Sequence, residues 1–223
     1  MNIVVTGSRS GLGLSIATAL REAKHVVYDY DIKDGKQFDV ANPMVTFASV
    51  DAVINCAGIN ANVWFEDMTS EIWHRVMDTN ALGLWKTTQH FLPWLKESKG
   101  VVINITSNAA HIPMTSSLAY NASKAAADMA TKQLAHELTP RHGITVFGIA
   151  PNKLRGTEMS KQIEENVCAI RGWTPEYAAE YQKKALMKGL ETEPSAIADY
   201  IVFLLSDERN YTHMSGTIIP FGK

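Results

Sequence analysis

Short runs of β-branched residues alternate along the chain with longer segments in which apolar side chains recur every three or four positions. Ile3 to Thr6, Val26 to Asp31, Ala52 to Cys56, Val101 to Ile105, Ile144 to Ile149 and Thr217 to Pro220 predict strands. Leu12, Ile16, Ala19, Leu20 and Ala23 share one face at helical spacing, which predicts an amphipathic helix directly after the first strand. Further helices are expected at about Ser70 to Leu95, Leu118 to Leu138, Thr157 to Leu186 and Pro194 to Leu205. Strands that are apolar along their whole length are covered on both faces, so the alternation predicts an α/β fold with a Rossmann-like, doubly wound parallel sheet. No repeat or low-complexity linker divides the chain, and residues 1–223 read as one domain.

One stretch breaks the rhythm. Only Ile32 to Lys36 separate the second strand from Gln37-Phe38-Asp39-Val40, the natural third strand. A parallel crossover with its helix needs about 10 to 12 residues, so the segment between strands 2 and 4 should be shortened and lack its helix.

Composition narrows the function classes. The 223 residues include 21 basic and 23 acidic side chains, a net charge of −2, with no block of like charge; this argues against nucleic acid and anionic membrane as partners. No apolar run approaches the ~18 residues of a membrane span, and the N-terminus lacks the look of a secretory signal. Two cysteines, Cys56 and Cys168, suit a reducing compartment, and a cytoplasmic protein is expected. The seven histidines show no metal-ligand spacing; Ala135-His136-Glu137-Leu138 starts like a zinc-protease helix, but position 140 is proline. No metal is expected, and no serine stands in a nucleophile-elbow context.

The first strand runs through Thr6-Gly7-Ser8-Arg9-Ser10-Gly11-Leu12-Gly13 into the first helix. A tight turn there lets backbone approach a pyrophosphate, and the helix start offers free N–H groups and a positive dipole end. Glycines in a strand-to-helix turn are also common without a ligand. An acid near the end of the second strand would accept from adenosine ribose hydroxyls. Asp31 is favoured, with Asp29 on the same strand face as its competitor. A carboxylate there repels the 2′-phosphate of NADP and favours NAD, while Arg9 keeps NADP open.

With these features the chain resembles the classical short-chain dehydrogenases/reductases. Thr6-Gly7-x-x-x-Gly11-Leu12-Gly13 is similar to that family's first motif, and Asn55-Cys56-Ala57-Gly58 to its Asn-Asn-Ala-Gly motif. Asn80 resembles the family's helix asparagine; Ser107 stands 13 before Tyr120 in a full Tyr120-x-x-x-Lys124 motif. The resemblance implies hydride transfer between nicotinamide and a small alcohol or carbonyl substrate. Tyr120 would be the acid/base, Ser107 a donor to the substrate oxygen, and Asn80 the holder of a water that links Lys124 to solvent.

Cofactor contacts would come from Gly7, Ser8, Arg9, Gly11, Leu12, Gly13, Asp31, Asp39, Val40, Asn55, Ala57, Gly58, Tyr120, Lys124 and Pro151. The resemblance also implies a substrate lid over residues 157–190 and a homodimer or homotetramer. Cys56, Asn152 and the Phe221-Gly222-Lys223 ending depart from the family pattern, and none is expected to touch the groups that move protons.

Acid/base work by a phenol at neutral pH requires its pKa of ~10 to fall to about 7, roughly 4 kcal/mol of preferential phenolate stabilisation. Lys124, four residues on and hence on the same helical face, can supply part of it. His111 and Met114 are further candidates to line the pocket. Trp173, Tyr177 and Tyr181, four apart, read as a packing stripe. The competing reading is a non-catalytic nucleotide-binding module on the same fold.

Overall fold

The computed structural model describes residues 1–31, 48–186 and 188–222. The proposed short crossover, with Ile32 to Lys36 and the strand stub Gln37 to Val40, lies outside the described residues, and so do Asp39 and Val40 as cofactor contacts.

Six strands, β1 (Asn2–Thr6), β2 (Val26–Tyr30), β3 (Ala52–Asn55), β4 (Val101–Ile105), β5 (Thr145–Pro151) and β6 (Ile218–Phe221), form one sheet in the order β2-β1-β3-β4-β5-β6. Every pairing is parallel. The central strands are buried from end to end, as their largely apolar runs require, and the buried Asn55 and Asn104 within them hydrogen-bond to each other.

Alternation along each strand divides the core in two. Ile3, Val5, Ile54, Ile103 and Ile149 face α1 (Gly11–Glu22) and α7 (Pro194–Leu205), whose Leu12, Ile16, Leu20, Ile197 and Ile201 complete that layer. Val4, Val53, Val102 and Val146 face the other way, onto Phe91 and Leu95 of α3 (Gly83–Ser98) and Ala135 and Leu138 of α4 (Leu118–His142). At about 1.5 to 3 kcal/mol for each fully buried large side chain, the two layers supply the main favourable term in folding.

Two predicted helices differ in detail. The segment from Ser70 comprises α2 (Ser70–Met77), a π-helical turn over Asp78–Leu82 and then α3, so the extra residue of that turn shifts the register at Asn80. The single helix expected over Thr157 to Leu186 is instead two: α5 (Glu158–Arg171) and α6 (Pro175–Ala185). Gly172 at φ +65° closes α5, Thr174 caps α6 by accepting from the Tyr177 amide, and Pro175 occupies its first turn. Each of these three residues is a helix boundary signal in its own right.

The α5–α6 excursion is tied at its base, where Leu154 bridges Thr192, the Thr192 amide donates to Lys153 O and the Arg155 amide donates to Thr192 O. Among the described residues no helix is long and apolar enough to cross a membrane.

Candidate active site

Parallel strands deliver their C-terminal ends to one edge of the sheet, and there the chain places its unusual backbone. Gly7 (φ +69°) and Gly11 (φ +50°) turn β1 into α1. A Cβ on Gly13 would stand 2.1 Å from Gly7 O, and one on Gly7 would stand 2.8 Å from Ala57 Cα. The loop therefore cannot be coated with side chains. α1 begins with no side-chain cap and no acid in its first turn, leaving its dipole end uncompensated. The Ser8 hydroxyl is buried beside it without a hydrogen-bond partner among the described residues. A bare cradle, a helix start and an orphaned hydroxyl fit the pyrophosphate of a dinucleotide.

The rim of the cradle is built from the next strands. Thr6 Oγ1 accepts from the amides of Cys56 and Ala57 (both 3.1 Å), which fixes the loop after β3 against β1. Asn55 turns its side chain inward, donating to Asn104 Oδ1 at 2.8 Å and Thr88 Oγ1 at 3.2 Å, and so braces β3 to β4 and α3.

The Asp31 carboxylate accepts from the backbone amide of Arg9 at 2.9 Å, placing it against the glycine loop. Asp29 is paired with Arg21 at 2.5 Å and with the Arg9 guanidinium at 3.4 Å. Of the two aspartates, Asp31 is therefore the one joined to loop backbone. Pro151 ends β5 at the same edge, fully covered.

Ser107, just beyond β4, accepts from the Ala109 amide at 3.1 Å, and its hydroxyl is near enough to Tyr120 to act on the phenol. The neighbouring Thr106 is buried and donates to Ile149 O. Tyr120 and Lys124 lie on α4 as expected. Lys124 is 6% exposed, donates from Nζ to Ile105 O at 3.1 Å, and has Nζ 5.9 Å from the centre of the Tyr120 ring. Burial pulls the Lys124 ammonium down to about 8, against which Cys56 and Asp128 favour the charged form. Burial pushes the Cys56 thiol up to about 12.

Two expectations need correction here. Burial raises the Tyr120 phenol above its ordinary value, with the Ser107 hydrogen bond acting against that, so the chain's own groups do not produce the lowering expected from Lys124. Cys56 is not remote from the proton-moving groups, because its thiol acts on Lys124. The Asn80 side chain is engaged by protein groups: Oδ1 accepts from the Ile59 amide (2.8 Å), and Nδ2 donates to Ile59 O and Ser123 Oγ (both 2.9 Å).

Asn80 thus pins the loop that carries Gly58. A Cβ on Gly58 would meet Asn80 Oδ1 at 3.3 Å and Lys124 Nζ at 3.6 Å, so Gly58, Asn80 and Lys124 form one packed group.

The wall of a cavity of about 320 Å³ is formed by Trp64, Thr115, Ile170, Arg171, Trp173 and Tyr181. Trp64 Nε1 donates to Ile170 O (3.3 Å) and Arg171 Nη2 to Thr115 O (2.7 Å), joining α5 to the loops after β3 and β4. Trp173 packs on both Tyr177 and Tyr181 with ring centres about 5 Å apart, so the stripe packs as expected and also forms part of this wall. His111 and Met114 do not line it.

Thr157 escaped notice in the sequence except as the start of the lid. It caps α5, and a Cβ on Gly11 would stand 3.6 Å from its side chain, which puts a second helix start beside the glycine cradle. The signal was available as a Thr one residue before an acidic helix start. Among the described residues no cluster of three or more His, Cys, Asp or Glu side chains could hold a metal.

Comparison with known proteins agrees with this geometry. The profile of the short chain dehydrogenase family matches residues 21–167. An acetoacetyl-CoA reductase of Paracoccus denitrificans is 30% identical over 98% of this chain and 96% of its own. A cyclopentanol dehydrogenase of Comamonas testosteroni is 26% identical over 99% and 95%. The solved structure of an NAD+-bound xylitol dehydrogenase superposes with a TM-score of 0.89 over 100% of this chain and 98% of its own, at 21% identity.

Proposed function

Because the chain belongs to the short chain dehydrogenase family of oxidoreductases, we propose that it interconverts a secondary alcohol and a carbonyl compound, using NAD in preference to NADP, with Tyr120 as general acid/base. The nicotinamide cofactor accepts or supplies the hydride, and the protein must handle the accompanying proton. One observation carries the reading: Ser107 stands beside Tyr120, whose ring centre is 5.9 Å from the buried ammonium of Lys124.

Each residue then has a task. The Gly7–Gly13 loop, with Ser8 and the start of α1, holds the pyrophosphate, and Asp31 accepts from the adenosine ribose. Ala57 and Gly58 offer backbone close to Lys124. Ser107 donates to the substrate oxygen as charge develops on it. Tyr120 gives or takes the hydroxyl proton, and Lys124 stabilises the phenolate. The names of the relatives span a thioester-linked ketone and a cyclic alcohol, so family membership leaves the substrate itself open.

A screen of NADH oxidation against a panel of ketones, repeated with Tyr120→Phe, tests the proposal. Phenylalanine keeps the ring but not the proton, so turnover should drop ~100 to 10,000-fold while cofactor affinity changes little. NADH binding with no turnover on any ketone, or near-normal turnover by Tyr120→Phe, would favour the non-catalytic module instead.

A further inference from the structure

A buried carboxylate behind the Tyr120–Lys124 pair has no part in the mechanism above. Asp128 lies on α4 one turn beyond Lys124 and is 4% exposed. Its Oδ2 is 2.9 Å from Nε2 of His111, whose own side chain is half exposed, while Oδ1 has no hydrogen-bond partner among the described residues and the Thr106 hydroxyl donates to Ile149 O. Burying a carboxylate costs free energy that an apolar side chain at the same place would not.

The contacts of Asp128 converge on one turn. Thr106 and His111 bracket Ser107, and between them the chain makes a single 3-10 turn, Asn108–Ala110. From the first turn of α4, Asn121 adds two hydrogen bonds to the same segment, from Nδ2 to Ala109 O (2.7 Å) and Ile112 O (2.6 Å). α4 therefore carries Tyr120 and Lys124 and also holds the piece that presents Ser107. The charged and titratable groups acting on Asp128 are His111 from the turn and Lys124 and Lys132 from α4; those acting on Lys124 are Asp128 and the Cys56 thiol of the loop after β3.

We propose that Asp128 is a positioning residue for the reaction. Through His111 it fixes the turn that presents Ser107, and from the next turn of α4 its carboxylate supports the positive charge of Lys124. The proposal rests on the reading of Ser107 and Lys124 as parts of the catalytic apparatus. Burial raises the Asp128 carboxyl above the ordinary aspartate value, and Thr106, His111, Lys132 and Lys124 act against that. The surroundings that favour its ionised form are thus the groups it would position.

Asp128→Asn keeps the shape and removes the charge; Asp128→Glu keeps the charge; His111→Gln keeps a polar contact without a cation. In the full chain, NMR of labelled lysine side chains follows the Lys124 titration, assigned with Lys124→Met, and amide exchange follows Ala109 to His111. Neither readout needs a substrate. The Lys124 midpoint near 8 should fall by about half a unit or more in Asp128→Asn and return most of the way in Asp128→Glu. Exchange in the turn should quicken about tenfold in Asp128→Asn and His111→Gln.

A purely structural Asp128 would leave the Lys124 midpoint in place. The proposal is overturned if either the midpoint in Asp128→Asn or the exchange of the turn stays at its wild-type value. Should Asp128→Asn fail to fold, Asp128→Glu and His111→Gln decide by the same two readouts: a midpoint held near 8 by the glutamate and a loosened turn in the glutamine variant support it, and failure of either overturns it. Absence of NADH turnover in the wild type would count against the oxidoreductase reading alone.

Discussion

At the scale of single residues, the titration of α4 is the sharpest consequence. Lys124 titrates near 8 in the folded chain and near 10.5 when unfolded, so the unfolded state binds the extra proton in between. Stability therefore climbs between about pH 8 and 10.5, by about 1 kcal/mol per pH unit, and below 8 the cost of burying the ammonium is felt in full. Cys56 has the opposite sign: raised from 9.0 to about 12, it favours the folded state below 9 and withdraws that support as pH rises further.

The urea midpoint should then climb from pH 8 to 9 and level off above 9, and Lys124→Met should abolish the climb. Tyr120, raised by burial, should titrate above the ordinary tyrosine range in ultraviolet difference spectra of the protein alone. With saturating NAD+ its midpoint should fall by about one unit or more, as a nearby cation requires; an unchanged midpoint would count against Tyr120 as the base. The positions of Ser107, Tyr120 and Lys124 were legible because spacing alone places them on a strand end and one helix face. The direction of the Tyr120 shift was not, since burial is a property of the packed chain.

At the scale of elements, the sequence is most informative where one signal dominates. β3 and β4 are apolar but for Asn55 and Asn104 and were found almost to the residue. The π-helical turn at Asp78–Leu82 was not visible: it changes hydrogen-bond register without changing composition, and what holds it is Asn80 binding Ile59 and Ser123 from other segments. Asn80→Ala should strip the Ile59 amide of its partner and destabilise the fold by about 1 to 3 kcal/mol, measured by denaturant unfolding.

The break between α5 and α6 was legible in Gly172, Thr174 and Pro175 but was outweighed by the helical period on either side. Lys153 binds Glu164 of α5, Gln182 of α6 and Glu191 beyond it, so one ammonium gathers the whole excursion. We propose that residues 157–190 act as the lid. Lys153→Met should raise amide exchange across α5 and α6 about tenfold or more, and cofactor with substrate should slow it. Exchange indifferent to both would remove the lid from the mechanism.

At the scale of the whole molecule, cofactor choice and assembly become predictions. Asp31, bound to the loop through the Arg9 amide, should make NADH bind at least tenfold tighter than NADPH in a fluorescence titration, because a 2′-phosphate would face a carboxylate. Equal affinities would shift attention to Arg9. α3 and α4 leave Trp85 and Met129 exposed at 38% and 63%, a surface suited to a homodimer or homotetramer. Met129→Asp should lower the mass seen by sedimentation if that face is the contact.

The sheet order also fixes when this protein can first be complete. Leu12, Ile16 and Leu20 of α1 are covered by Ile197, Ile201 and Leu204 of α7, which leave the ribosome long after them. At the usual ~5 to 20 residues per second, that apolar face waits roughly 10 to 40 s for its cover. During that interval the nascent chain is a client for holding chaperones, and slower translation of the 3′ half of its message should cost soluble yield.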